Sequence, residues 1–154
     1  MRPTDLFAGF SILNGLSDQD IRHLASAARL VTFGKGERIF EQDRPATACW
    51  LLKQGGVVID TVVPGRDPVL IQTLGPGDIL GWSWLVSPPR WHFGAVAVEP
   101  ATAIELDVAT LRELAAAHPD FGYALMSRFL QVLLDRLQAT RARLLDLYRS
   151  PHAR

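Results

Sequence analysis

Gly81, the tryptophans Trp82, Trp84 and Trp91, Ser83 and Arg90 lie within one stretch, Leu74–Pro100. That stretch holds three of the four Trp, four of the ten Pro and four of the twelve Gly. Gly75-Pro76-Gly77-Asp78 is a turn signal. Gly81–Val86 is long enough for one or two helical turns, and Pro88-Pro89 breaks the chain just before Arg90. These are the parts of a phosphate cradle. The first N–H groups of a helix lack intrahelical partners and attract anions, and an Arg adds charge-assisted hydrogen bonds. The three Trp either stack on a planar ligand or fill core volume. Other chemistries find less support. His23, His92, His118 and His152 are scattered with no His-x-His pair, and Cys49 is the single cysteine. No metal site, cofactor or internal disulfide is therefore expected. No nucleophile–base pair or paired-carboxylate motif stands out, so an enzyme is not expected.

The totals set the frame for these residues. A chain of 154 residues suggests one domain, and 48% hydrophobic residues are enough for a real core. Sixteen basic residues balance sixteen acidic ones, which points neither to nucleic acid nor to an anionic membrane. No apolar run approaches the ~18–20 residues of a membrane span. The start, MRPTDLFAGF, lacks a signal-peptide core, so a cytoplasmic protein is expected. Cys49 falls in the apolar run Ala48–Leu52 and reads as a buried, inert thiol.

The elements that must hold the stretch in place divide the chain in three. Residues 1–29 read as N-terminal helices, with Ser17 an N-cap and Ile21, Leu24, Ala25 and Ala28 on one apolar face. Residues 30–106 read as about eight short strands with turn signals roughly every ten residues. Gln54-Gly55-Gly56 between two of them reads as a hairpin turn. With no βαβ alternation, the pattern predicts an antiparallel jelly-roll barrel, mainly β with flanking helices. Residues 107–150 turn helical: Val108–Ala117 is a short helix, and from Phe121 to about Tyr148 nothing interrupts a long one. Met126, Leu130, Leu133, Leu137, Thr140, Leu144 and Leu147 alternate in steps of four and three, a heptad seam with one polar member. Such a helix is about 42 Å long, too long to pack wholly on a barrel of this size. Its second half predicts a homodimer contact through residues 121–148. The Arg residues along it, Arg128, Arg136, Arg141, Arg143 and Arg149, read as a solvated face.

Three fragments in order carry a family resemblance: Gly36-Glu37-x-Ile39-Phe40-x-Gln42, Cys49-Trp50-Leu51-Leu52-x-x-Gly55, and Leu74-x-Pro76-Gly77-Asp78-x-x-Gly81. Together they resemble the cyclic-nucleotide-binding domain. Arg136-Leu137-Gln138-Ala139-Thr140 resembles part of the dimer helix of catabolite activator-type (CRP/FNR) regulators. The resemblance implies an eight-stranded jelly-roll barrel, a phosphate-binding cassette in the stretch around Gly81, and a small anionic ligand such as cyclic AMP or cyclic GMP. It also implies that Thr140 contacts a purine from the dimer helix. The chain ends six residues after Tyr148, with no room for a recognition helix. Sequence-specific DNA binding by this chain alone is therefore not expected.

The sequence departs from the family cassette at two anchors. The Glu that accepts the ribose 2′-OH is replaced by Trp82, whose indole N–H only donates. The family's phosphate Arg position is occupied by Trp91, with Arg90 one residue earlier. A loop one residue shorter would still bring Arg90 inward; in an unbulged strand the shift turns it to the opposite face. Two functional readings follow. One is a sensing domain with Gly81, Trp82, Ser83, Trp84, Arg90, Trp91 and Thr140 around a small anion, reporting through a dimer helix to a downstream protein. The other is a degenerate dimerisation or protein-interaction module whose pocket is filled by its own Trp side chains.

Overall fold

The computed structural model describes residues 3–85 and 87–149. Val86, at the end of the predicted stub helix, and the C-terminal residues 150–154 lie outside them. The described strands, in chain order, are β1 (Ala28–Phe33), β2 (Arg38–Phe40), β3 (Ala48–Gln54), β4 (Val57–Thr61), β5 (Val69–Leu74), β6 (Ile79–Leu80), β7 (Gly94–Ala97) and β8 (Ala101–Asp107). They form two antiparallel four-stranded sheets, β1-β8-β3-β6 and β2-β7-β4-β5. This is the expected jelly-roll architecture.

The turn at Gln54-Gly55-Gly56 is not a hairpin. β3 and β4 belong to different sheets, so this turn carries the chain across the barrel. Gly55 has φ +89, and a Cβ there would lie 2.4 Å from the Pro100 carbonyl oxygen. The site demands glycine for the crossing as strictly as a hairpin would, so the local signal is the same for both. β6 has two residues squeezed between two turns, too short for an alternation to register in the sequence.

The second sheet is braced by a part-buried ion pair. Arg38 on β2 makes two hydrogen bonds to Asp60 on β4, at 2.8 and 2.9 Å. They pass over Gly94 of the intervening β7, where any Cβ would stand 2.5 Å from Asp60 Oδ1. The bidentate geometry satisfies a carboxylate that is only 5% exposed.

Helices close the barrel. α1 (Pro3–Leu6) and α2 (Asp18–Ser26) precede it, and the Ser17 hydroxyl caps α2 by accepting from the Asp20 N–H at 3.0 Å. α3 (Val108–Ala117) starts at Asp107, whose carboxylate accepts from the Thr110 N–H and hydroxyl. α4 (Pro119–Arg149) then runs 31 residues. It begins pressed against α3: a Cβ on Gly122 would lie 2.9 Å from that of Ala115. Phe121, Leu125 and Phe129 are buried at steps of four and join Leu24, Leu52, Leu80 and Ile104 in one core.

Candidate ligand cavity

The barrel interior is shaped by a close approach. Gly81 follows β6 with φ +90, and the Trp91 ring lies where its Cβ would be, 2.8 Å away. Trp91 is 3% exposed and stacks on Phe40, with ring centroids 3.9 Å apart and planes at 16°. Trp50 stacks behind this pair and donates its indole N–H to Glu105 Oε1 at 3.0 Å. The turn before Gly81 is held by Asp78, whose carboxylate accepts from the Gly75 N–H at 2.8 Å, and by the Gly77 N–H to the Leu52 carbonyl.

A cavity of about 100 Å³ remains. Its aromatic walls are Phe40, Trp82, Trp91 and Phe93; its polar lining is Gln72, Ser83 and Arg136. Arg136 reaches in from α4. Its guanidinium lies 4.4 Å from the centre of the Trp82 ring, a cation–π contact. It donates to the Ile79 carbonyl at 3.2 Å and marginally to Gln72 Oε1 at 3.5 Å. Among the described residues its guanidinium forms no ion pair with a carboxylate. Burial lowers its pKa from the usual arginine value, and the Asp78 charge acts the other way. Arg136 also borders an outer groove of about 380 Å³ that includes Asp78, Arg128 and Asp135, so it stands at the partition between cavity and groove.

The residues singled out from the sequence separate into two sets. Gly81, Trp82, Ser83 and Trp91 line the cavity. Ser83 begins a single 3-10 turn, Ser83–Leu85, and its hydroxyl accepts the His92 N–H at 3.2 Å. Trp84, Arg90 and Thr140 are elsewhere. Trp84 is buried edge-on against Phe129, with the Arg112 guanidinium over its ring and donating to its carbonyl. Among the described residues its indole N–H has no hydrogen-bond partner of normal geometry. Burial pushes the Cys49 thiol up to about 12, outweighing the opposing influence of the Trp84 indole. Arg90 is exposed and donates to the Asp43 carbonyl at 2.8 Å. Residues 89–91 pair with residues 43–46 through backbone bonds such as Trp91 N–H to Arg44 O, so neighbours alternate sides. Trp91 turns inward and Arg90 outward, as an unbulged strand dictates. Thr140 is exposed one turn beyond Arg136 and donates to its carbonyl at 2.9 Å.

Arg136 is the cavity residue that the sequence reading left on a solvated face. A signal for it existed. Arg136 and Thr140 are four apart and share a helix face, and Trp82 offered a ring surface suited to a guanidinium.

With the two sheets, the turn before Gly81 and the α4 side chain in place, comparison with known proteins identifies the class. The cyclic nucleotide-binding domain model matches residues 30–118. The chain belongs to that family. The HTH-type transcriptional regulator Cmr of Mycobacterium tuberculosis (strain CDC 1551 / Oshkosh) is 26% identical over 136 residues, 88% of this chain. The chain spans 54% of that regulator's length. A solved protein of Geobacter metallireducens GS-15, described as cyclic nucleotide-binding, is 26% identical with a TM-score of 0.79, covering 89% of this chain and 98% of that one. The Thermus thermophilus catabolite activator protein shares the fold at 23% identity and a TM-score of 0.70, over 89% of this chain and 62% of its own. Among the described residues, no helix is long and apolar enough to cross a membrane.

Proposed function

We propose that the chain is a regulatory domain that binds a small anion in the barrel cavity and passes the occupied state to α4. The observation that supports it is the position of Arg136. Among the described residues it is the one cation lining the cavity, and it belongs to the helix that extends beyond the barrel. An anion held there touches the helix directly. Occupancy moves α4 only if the two helix arrangements bind the ligand with different affinity; a guanidinium bonded to neutral acceptors alone gains a charged partner when the anion arrives. Residues 121–148 form a homodimer contact in this reading, because Leu130, Leu137, Leu144 and Leu147 of the heptad seam stand exposed. The role assigned is binding rather than catalysis.

A second reading is favoured by Trp91. Its ring occupies the space above Gly81, and the remaining 100 Å³ is well below the ~300 Å³ or more of ordinary ligand pockets. A cyclic nucleotide would enter only after Trp91 left its seat. On that reading the domain is a dimerisation module with a filled barrel. The experiment is to titrate the protein with cyclic AMP, cyclic GMP and simple organic anions by calorimetry. Hydrogen exchange in α4 and sedimentation are then followed for each ligand that binds. The sensing reading expects binding that changes α4 exchange or the dimer equilibrium. A bound ligand that leaves both unchanged defeats it, and no binding by any member of the panel favours the filled barrel.

A further inference from the structure

We infer that the cavity takes a single-ring aromatic carboxylate, its ring against Trp82, Trp91 and Phe93 and its carboxylate on the Arg136 guanidinium. This rests on the sensing reading above and names the class of ligand.

Size comes first. An apolar cavity of roughly 150 Å³ admits benzene. Here the cavity measures about 100 Å³, with Arg136 at the partition to the larger outer groove. One ring fits with modest side-chain adjustment, and a fused purine with its ribose and phosphate does not. Wall chemistry is second. Four aromatic side chains border the space, two of them partly exposed: Phe93 is 41% exposed and Trp82 is intermediate. Flat hydrocarbon faces favour offset or edge-on contact with another ring. Charge is third. Among the described residues one cation and no carboxylate lines the cavity; the carboxylates Asp78 and Asp135 border only the outer groove. Arg136 is desolvated and bonded to a carbonyl and, marginally, an amide, so it gains an ionic partner when a carboxylate arrives. A planar guanidinium pairs two-pronged with a carboxylate while its face stays on Trp82. The Ser83 hydroxyl, which also faces His92 Nδ1 at 3.4 Å, adds a polar group to the lining.

The test uses benzoate, its neutral isostere benzamide, and cyclic AMP, each titrated into the full chain by calorimetry and tryptophan fluorescence. Benzoate is expected to bind and to quench or shift Trp emission, with benzamide roughly 10–100-fold weaker, the usual worth of a charged hydrogen bond. Arg136→Gln should bring benzoate down to the benzamide level while the chain stays folded by circular dichroism. Arg136→Lys should restore part of the preference, and Arg90→Ala should leave it intact. Equal binding of benzoate and benzamide, or an Arg136→Gln variant that binds benzoate normally, overturns the inference. Cyclic AMP binding without benzoate binding overturns the inference and leaves the sensing reading standing. Failure of all three probes overturns the inference, and the sensing reading then stands or falls on cyclic GMP and the other organic anions of its own panel.

Discussion

The two halves of α4 share one heptad seam and sit in different surroundings. The seam runs from Met126 to Leu147, and most of it is open: Leu130 is 67% exposed, Leu137 47% and Leu147 69%. The first half carries a second apolar row, Phe121, Leu125 and Phe129, at most 2% exposed. That row seals the barrel, reinforced by the Gly122–Ala115 approach to α3 and by Trp84 against Phe129. The second half has no such row. A helix apolar on two faces must be covered twice, and a helix apolar on one face once. In the first half the barrel provides one cover. Arg136 marks the changeover, the last α4 side chain to reach the barrel interior before the helix leaves it. A pocket built at that boundary is well placed to influence where the free half points.

This contrast can be broken or sharpened in three ways. The largest effect is expected at the anchored end. Phe129→Ala should lower unfolding free energy by about 3–5 kcal/mol in urea denaturation. Leu147→Ala, measured where the protein is monomeric, should stay within about 0.5 kcal/mol. Equal losses would show that the halves are not energetically distinct. Assembly is the next measure. Leu137→Arg should convert a two-chain species into one chain by sedimentation while leaving the folded protomer intact. A wild-type protein that already sediments as one chain removes the dimer.

The smallest effect concerns the seat of the anchored half. Asp107 caps α3, and Asp107→Ala should cost about 1 kcal/mol. Its bonds from the Thr110 hydroxyl and N–H hold the Asp107 carboxyl below its ordinary value of 3.8. The folded state therefore binds that proton less readily than the unfolded one. The contribution is complete above pH ~4 and fades as pH falls through the lower folded value. Urea titrations at neutral and acidic pH should show the gap between wild type and Asp107→Asn narrowing toward acid. A gap independent of pH would mean that the carboxylate charge plays no part in the cap.

Much of this was legible along the chain. Val108–Ala117 was readable as a helix to the residue, because the composition changes after Asp107 and His118-Pro119 ends the run. The Ser17 cap and the buried Cys49 were readable for similar local reasons. The long helix was readable because nothing in 28 residues interrupts it. Illegible features depended on a distant partner. Gly55 announces a turn and cannot say which sheet receives the next strand. Arg136 looks like its neighbours on a basic helix until Trp82 and the Ile79 carbonyl are brought to it from residues more than fifty positions earlier.

The sequence by itself thus determined most of the strands and helices through local chemistry, and pointed to the family through the order and spacing of its motifs. Tertiary structure decided which side chains share the cavity. The backbone pairing of residues 89–91 with 43–46 sent Trp91 in and Arg90 out. The packing of α4 onto the barrel then delivered a different arginine to the interior. Pairing register and helix docking are relations between segments far apart in the chain. They fix the position of a charge that residue type and spacing alone leave undetermined.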